Sequence, residues 1–253
     1  MTVLTSMKWL NIIAFILVIL VNSLAGSTTL IGGQNTASVS NSNPTLITPA
    51  GYVFSIWGAI YVLLGIFVIY QALPSQKGDY QEKIGFFFVL SSLFNIIWLF
   101  LWQYEFLGFS VILMFMLLSS LIAIYVRLGI GKSRVSLRER LAVHLPFSTY
   151  LGWITIASIA NVATTLVSVG WNGLGISPET WAILIIVVAL LITLGVTVTR
   201  VDFAYGLVVI WALMGIAVKQ SQNQNIVLIA QISAVVVGIA EAARIIFSRI
   251  RNR

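Results

Sequence analysis

The chain contains no cysteine. Disulfides, thiolate metal sites and thiol nucleophiles are therefore excluded, and cysteine usage says nothing about redox compartment. Charge is nearly as scarce: Asp, Glu, Lys and Arg together make up 8% of the residues. A soluble domain carries ~25%. There is one histidine, His144. It lies at the end of an apolar stretch and reads as an interfacial, snorkelling residue rather than a ligand or base. Between residues 26 and 49 there is no charge at all. What the chain has instead is apolar sequence, with 59% hydrophobic residues and a mean hydropathy of +1.02.

The apolar residues fall into eight stretches, at 9–25, 50–73, 84–103, 107–126, 141–167, 180–199, 203–218 and 226–247. Most reach the ~20 residues a helix needs to cross a hydrocarbon core of ~30 Å. Basic residues occupy alternate gaps. Lys8, Lys77, Lys83, Arg127, Lys132, Arg134, Arg138, Arg140, Arg200, Arg244, Arg249, Arg251 and Arg253 fall on one side, and Lys219 alone on the other. Cytoplasmic loops carry the Lys and Arg excess. The pattern predicts an all-α, polytopic bundle in the plasma membrane with both termini cytoplasmic and residues 26–49 external. The net charge of +7 is then a property of helix ends facing anionic lipid, not a nucleic-acid footprint. A cleaved signal peptide ending near Ser23-Leu24-Ala25 is the alternative for the first stretch.

Residues 26–49 are rich in Gly, Ser, Thr and Asn and read as a long loop, a candidate lid. Thr48-Pro49 reads as a helix cap followed by a first-turn proline. Gly131-Lys132-Ser133 resembles the tail of a phosphate loop, but Val126 stands where that motif needs glycine. Glu241 is three residues from Arg244, a spacing that predicts a local ion pair. Ala234, Gly238 and Ala242 form a small-residue stripe suited to close helix packing.

Three helices carry aromatic and polar residues on one face. They are Phe54, Trp57 and Tyr61; then Asn95, Trp98 and Trp102; then Trp153, Ala157, Asn161 and Thr164. At ~1.5 Å per residue from the external ends, Trp57 and Asn95 lie ~12 Å deep, Asn161 ~9 Å and Trp98 ~8 Å. Tyr61 and Trp153 lie lower, at ~18 and ~21 Å. Trp9, Trp102, Trp171 and Trp181 fit the interfacial belt. The deeper set predicts either interhelical hydrogen bonding or a pocket with aromatic walls and a few polar groups, suited to a flat, largely apolar ligand. No chain of ionisable residues crosses mid-membrane, which argues against an ion-coupled pump.

The segment Thr48-Pro49-Ala50-Gly51-Tyr52-Val53-Phe54-Ser55-Ile56-Trp57-Gly58-Ala59-Ile60-Tyr61 resembles the second-helix motif of the TspO/MBR family. This family comprises the tryptophan-rich sensory proteins and the mitochondrial translocator protein. Leu93-Phe94-Asn95-Ile96-Ile97-Trp98 resembles its third-helix motif, and Pro146-Phe147 with Trp153 and Asn161 its fifth. The resemblance covers residues 1–168. It implies a five-helix core that binds tetrapyrroles or other flat hydrophobic molecules, with a homodimer as partner. It implies that Trp57, Tyr61, Asn95, Trp98, Trp153 and Asn161 line the pocket; Phe54 and Ala157, which share their helix faces, complete the candidate ligand-binding set. Residues 169–253 add three helices and a basic tail. Residues 26–47 lack the tryptophans common in the family's loop. The expected function is ligand binding or sensing, with a porphyrin as candidate ligand and transport of such a molecule as the alternative. No metal, cofactor or catalytic residue is expected; the enzymatic alternative is light-dependent porphyrin degradation on Trp side chains.

Overall fold

The computed structural model describes residues 3–73 and 78–251, so Lys77 and Arg253 of the basic set lie outside the described residues. Eight helices dominate it. They are α1 (Val3–Ser27), α2 (Ile56–Ala72), α3 (Phe87–Gln103), α4 (Leu107–Leu128), α5 (Leu145–Ser168), α6 (Pro178–Thr199), α7 (Phe203–Lys219) and α8 (Gln224–Arg251). Among the described residues, six helical segments are long and apolar enough to cross a membrane. The other two, α3 and α7, have 17 residues each, at the short end of the ~17–25 residue spanning range.

Apolar side chains point outward as well as inward. Ile13, Leu20, Val62, Ile69, Phe109, Ile112, Leu191, Val198 and Ile239 are all exposed. In water such a surface would drive aggregation; in lipid it is the solvated face. Helices suit that solvent because each satisfies its own backbone hydrogen bonds. Within the bundle, Phe67, Phe88 and Phe147 pack edge to face with centroids 4.9–5.9 Å apart. Buried amides join helices: Asn11 Nδ2 of α1 donates to Gln71 Oε1 of α2 at 2.9 Å.

α1 packs on α2 and α3; α4 lies between α3 and α5, and α2 closes onto α5. α7 packs on the outer side of α5, and α8 bridges α7 and α6. The C-terminal helices thus join the first five mainly through α7. Gly152 permits the close approach, since a Cβ there would sit 3.1 Å from the Tyr205 carbonyl oxygen and 3.2 Å from Val208 Cβ.

At the basic end, the Arg200-Val201-Asp202 link is pinned to the α4–α5 connection. Val201 N–H donates to the Gly131 carbonyl (2.9 Å), and Arg200 Nη1 to that of Ile130 (2.7 Å). Asp202 accepts from Tyr125 Oη (2.6 Å) and Ser148 Oγ (2.6 Å), while the Arg200 guanidinium lies 4.7 Å from the Tyr125 ring centroid.

Several local expectations are corrected. Thr48-Pro49 does not start a helix: Thr48 Oγ1 bonds back to Thr45, and a 3-10 turn at Gly51–Ser55 leads into α2. The 26–49 segment is not all loop. α1 continues to Ser27, and Asn35 caps a short helix, Thr36–Ser42, by accepting from Ser38 N–H at 2.9 Å. Glu241 does not pair with Arg244. Its Oε1 accepts from Thr197 Oγ1 of α6 at 2.7 Å, while Glu241 Oε2 and Arg244 Nε are buried without hydrogen-bond partners. Contact across the α6–α8 interface replaces the contact along α8. His144 is buried, at 5% exposure, rather than snorkelling. It closes a π-helical turn, Arg140–His144, placed where Pro146 cannot continue the α-helical hydrogen-bond ladder.

Candidate functional site

Beneath the 28–50 segment, α2, α3 and α5 enclose a cavity with about 50 Å³ of free space. Its walls are mostly aromatic: Phe54 from the 3-10 turn before α2, Trp57 from the start of α2, Trp98 and Trp102 from α3, and Trp153 from α5. Ile156, Ala157, Ala160, Asn161 and Thr164 complete the α5 wall, and Thr36, Ser40 and Pro49 form the roof.

The rings form a connected set. Trp57 stacks on Tyr61 (5.7 Å between centroids) and on Trp98 (6.2 Å), and Trp98 stacks on Trp102 (5.8 Å). Trp153 meets both Trp57 (6.1 Å) and Phe54 (6.0 Å) edge-on. Contacts of this kind contribute ~0.5–1.5 kcal/mol each beyond area burial. Trp98 is fixed further: its Nε1 donates to Asn161 Oδ1 at 2.8 Å, and Asn161 Nδ2 donates to Ser110 Oγ of α4 at 2.9 Å. Trp153 differs, because its indole N–H is buried with no protein partner.

The roof is docked, not solvated. Trp102 Nε1 donates to the Thr36 carbonyl (3.1 Å), and Gln103 Nε2 fixes the end of α1 just before the roof by donating to the Ala25 carbonyl (2.8 Å). Val39 is fully buried. Gly32 has φ +65°, and a Cβ there would overlap the Gln103 carbonyl. Only glycine meets both demands at once.

Of the eight residues singled out from sequence, Phe54, Trp57, Trp98, Trp153, Ala157 and Asn161 line the cavity. Tyr61 and Asn95 do not. Tyr61 lies behind Trp57, and Asn95 Oδ1 accepts from Asn22 Nδ2 of α1 at 2.7 Å. Asn95 thus joins α1 to α3 through its oxygen, with its Nδ2 buried and unpartnered outside the cavity lining, and Asn161 holds Trp98 to the α4–α5 seam. Trp102, read from sequence as a belt residue, lines the cavity because the short helix covers it. The roof segment reads from sequence as a candidate lid, but its contact residues Thr36 and Ser40 carried no signal, since a Ser/Thr-rich loop does not announce where it folds back. Among the described residues, no group of three His, Cys, Asp or Glu is placed to hold a metal ion.

Fold and cavity together define a polytopic helical membrane protein with an aromatic pocket under a docked loop. The family model described as TSPO-like protein matches residues 8–243, and the chain belongs to that family. The match runs on through α6 and α7 into α8, beyond the five-helix segment that carries the motifs. No curated protein and no solved structure matches the chain.

Proposed function

We propose that the protein is a membrane receptor for a small, flat, hydrophobic molecule, and that it binds this molecule in the cavity between α2, α3 and α5. The observation that carries this reading is the combination of five aromatic walls with one buried, unpartnered donor, Trp153 Nε1. Stacking would supply affinity, and a ligand acceptor facing Trp153 would supply orientation. A tetrapyrrole is the candidate favoured by family membership. Drug-sized ligand pockets span ~300–1,000 Å³, so the about 50 Å³ present must expand when such a ligand enters. The docked roof is the element that has to lift, because the walls below it are braced by Asn161 and by ring contacts. Affinity is then reduced by the fraction of molecules that stay closed. The basic ends face the cytoplasm of the plasma membrane and the roof faces outward, following the distribution of Lys and Arg.

The test is titration of detergent-solubilised protein with protoporphyrin, followed by tryptophan fluorescence. Saturation at one molecule per chain supports the reading, and linear quenching rejects it. Transport is the second reading, favoured by the three additional helices, which join α5 mainly through α7. Protein-dependent protoporphyrin uptake into proteoliposomes would establish it; binding without uptake leaves the receptor.

A further inference from the structure

We propose that α7, which lies outside the helices enclosing the cavity, shapes the binding site: Gly215 and Trp211 hold the Pro49–Phe54 segment in place as its wall. This rests on the reading that the cavity receives a ligand.

The segment at the head of α2 has a problem of its own. The first N–H groups of a helix have no partner within it, and in hydrocarbon an unpaired one is costly. Ala50, which caps the 3-10 turn, meets that need outside its own helix: its N–H donates to the Gly215 carbonyl of α7 at 3.0 Å. The approach requires glycine. A Cβ on residue 215 would overlap Val53 Cγ2 and lie 3.3 Å from Pro49 Cβ. One turn away, Trp211 Nε1 donates to the Val53 carbonyl at 3.2 Å, and its ring meets Tyr52 edge-on at 5.3 Å. Gln220 Nε2 reaches the Thr45 carbonyl at 3.4 Å. Pro49 and Phe54, at the two ends of this clamped segment, both line the cavity.

The clamp is not free to drift, because α7 is also fixed at its other end. Val201 bonds the Gly131 carbonyl, and Asp202 receives Tyr125 and Ser148. α7 is therefore a strut between the α4–α5 connection and the cavity wall. Any shift of α7 must move Pro49 and Phe54, and any outward movement of that wall must push α7. The C-terminal helices set the cavity's shape without touching a ligand.

The experiment uses the full-length protein and two variants, Gly215→Ala and Trp211→Phe. Gly195→Ala is the control, since a Cβ there meets nothing within 4 Å. Hydrogen exchange is measured over residues 48–56 without ligand, and protoporphyrin affinity by fluorescence. Expected are a rise of roughly tenfold in exchange for Gly215→Ala, a smaller rise for Trp211→Phe, and none for the control. Affinity falls in the same order. Trp211→Phe keeps the ring on Tyr52 and removes only the donor, so it answers the question even if Gly215→Ala fails to fold. Unchanged exchange in both variants, or raised exchange with unchanged affinity, overturns the inference. If the unmodified protein binds no protoporphyrin, exchange alone decides the role of α7, and the reading of the cavity as this ligand's site is what falls.

Discussion

Replacing Asn161 with alanine removes the acceptor that holds Trp98 in the cavity wall. The Trp98 N–H bonds Asn161 Oδ1 at 2.8 Å and is buried among rings, so the variant leaves a donor with nothing to meet. An orphaned buried donor costs ~1–3 kcal/mol, whereas interhelical hydrogen bonds in membranes average only ~0.6 kcal/mol. The larger figure governs here, because the partner is left behind rather than removed with it. About 2 kcal/mol, or roughly thirtyfold in the unfolding equilibrium, is the expected loss. Ser110 keeps its own bond to the Leu107 carbonyl at 2.7 Å and adds little to that cost. Trp98→Phe removes the donor as well. Adding Asn161→Ala to a Trp98→Phe background should therefore cost only ~0.5 kcal/mol, giving a coupling energy of ~1.5 kcal/mol. The assay is sodium dodecyl sulfate titration in mixed micelles, followed by circular dichroism. Costs that add to within ~0.5 kcal/mol would refute the reasoning.

Three further outcomes follow from the geometry. Arg244→Ala does not destabilise the protein in the same titration, because Glu241 bonds Thr197 and not Arg244, and the substitution removes a buried donor that has no partner. Asp202→Asn loses two charge-assisted bonds, from Tyr125 and Ser148, and costs ~1.5–3 kcal/mol; thermal unfolding in detergent measures it. Gly32→Ala cannot keep φ +65° beside the Gln103 carbonyl, so the 28–49 roof undocks and is cut by protease roughly tenfold faster while the helices stay intact.

The membrane fold was legible because lipid imposes its rule on every turn of each spanning helix. Eight apolar runs with basic residues in alternate gaps leave few other solutions. The cavity was legible where it depends on one helix face: Phe54 and Trp57, and Trp153, Ala157 and Asn161, share faces by helical spacing alone. What was hidden depends on contacts between distant segments. Asn95 faces Asn22, 73 positions away, and no local pattern marks that partner. Trp102 has the sequence environment of a belt residue and becomes a wall only because Thr36 lies over it. The role of Arg200-Val201-Asp202 was unreadable until the α4–α5 connection stood beside it. Glu241 misled because the nearest opposite charge along the helix is not the nearest donor across the interface.

The central claim is that flat hydrophobic ligands bind among Trp57, Trp98 and Trp153. Its most direct test is the protoporphyrin dissociation constant of the parent protein beside Trp57→Ala and Trp171→Ala. Trp57 contacts Trp98 and Trp153 of the cavity wall and Tyr61 and Tyr150 behind it, while Trp171, in the α5–α6 connection, packs on Trp181 of α6 away from the cavity. The account predicts saturable binding that weakens roughly tenfold or more in Trp57→Ala and is unchanged in Trp171→Ala. Equal affinity in all three proteins would place any binding outside the cavity and contradict it.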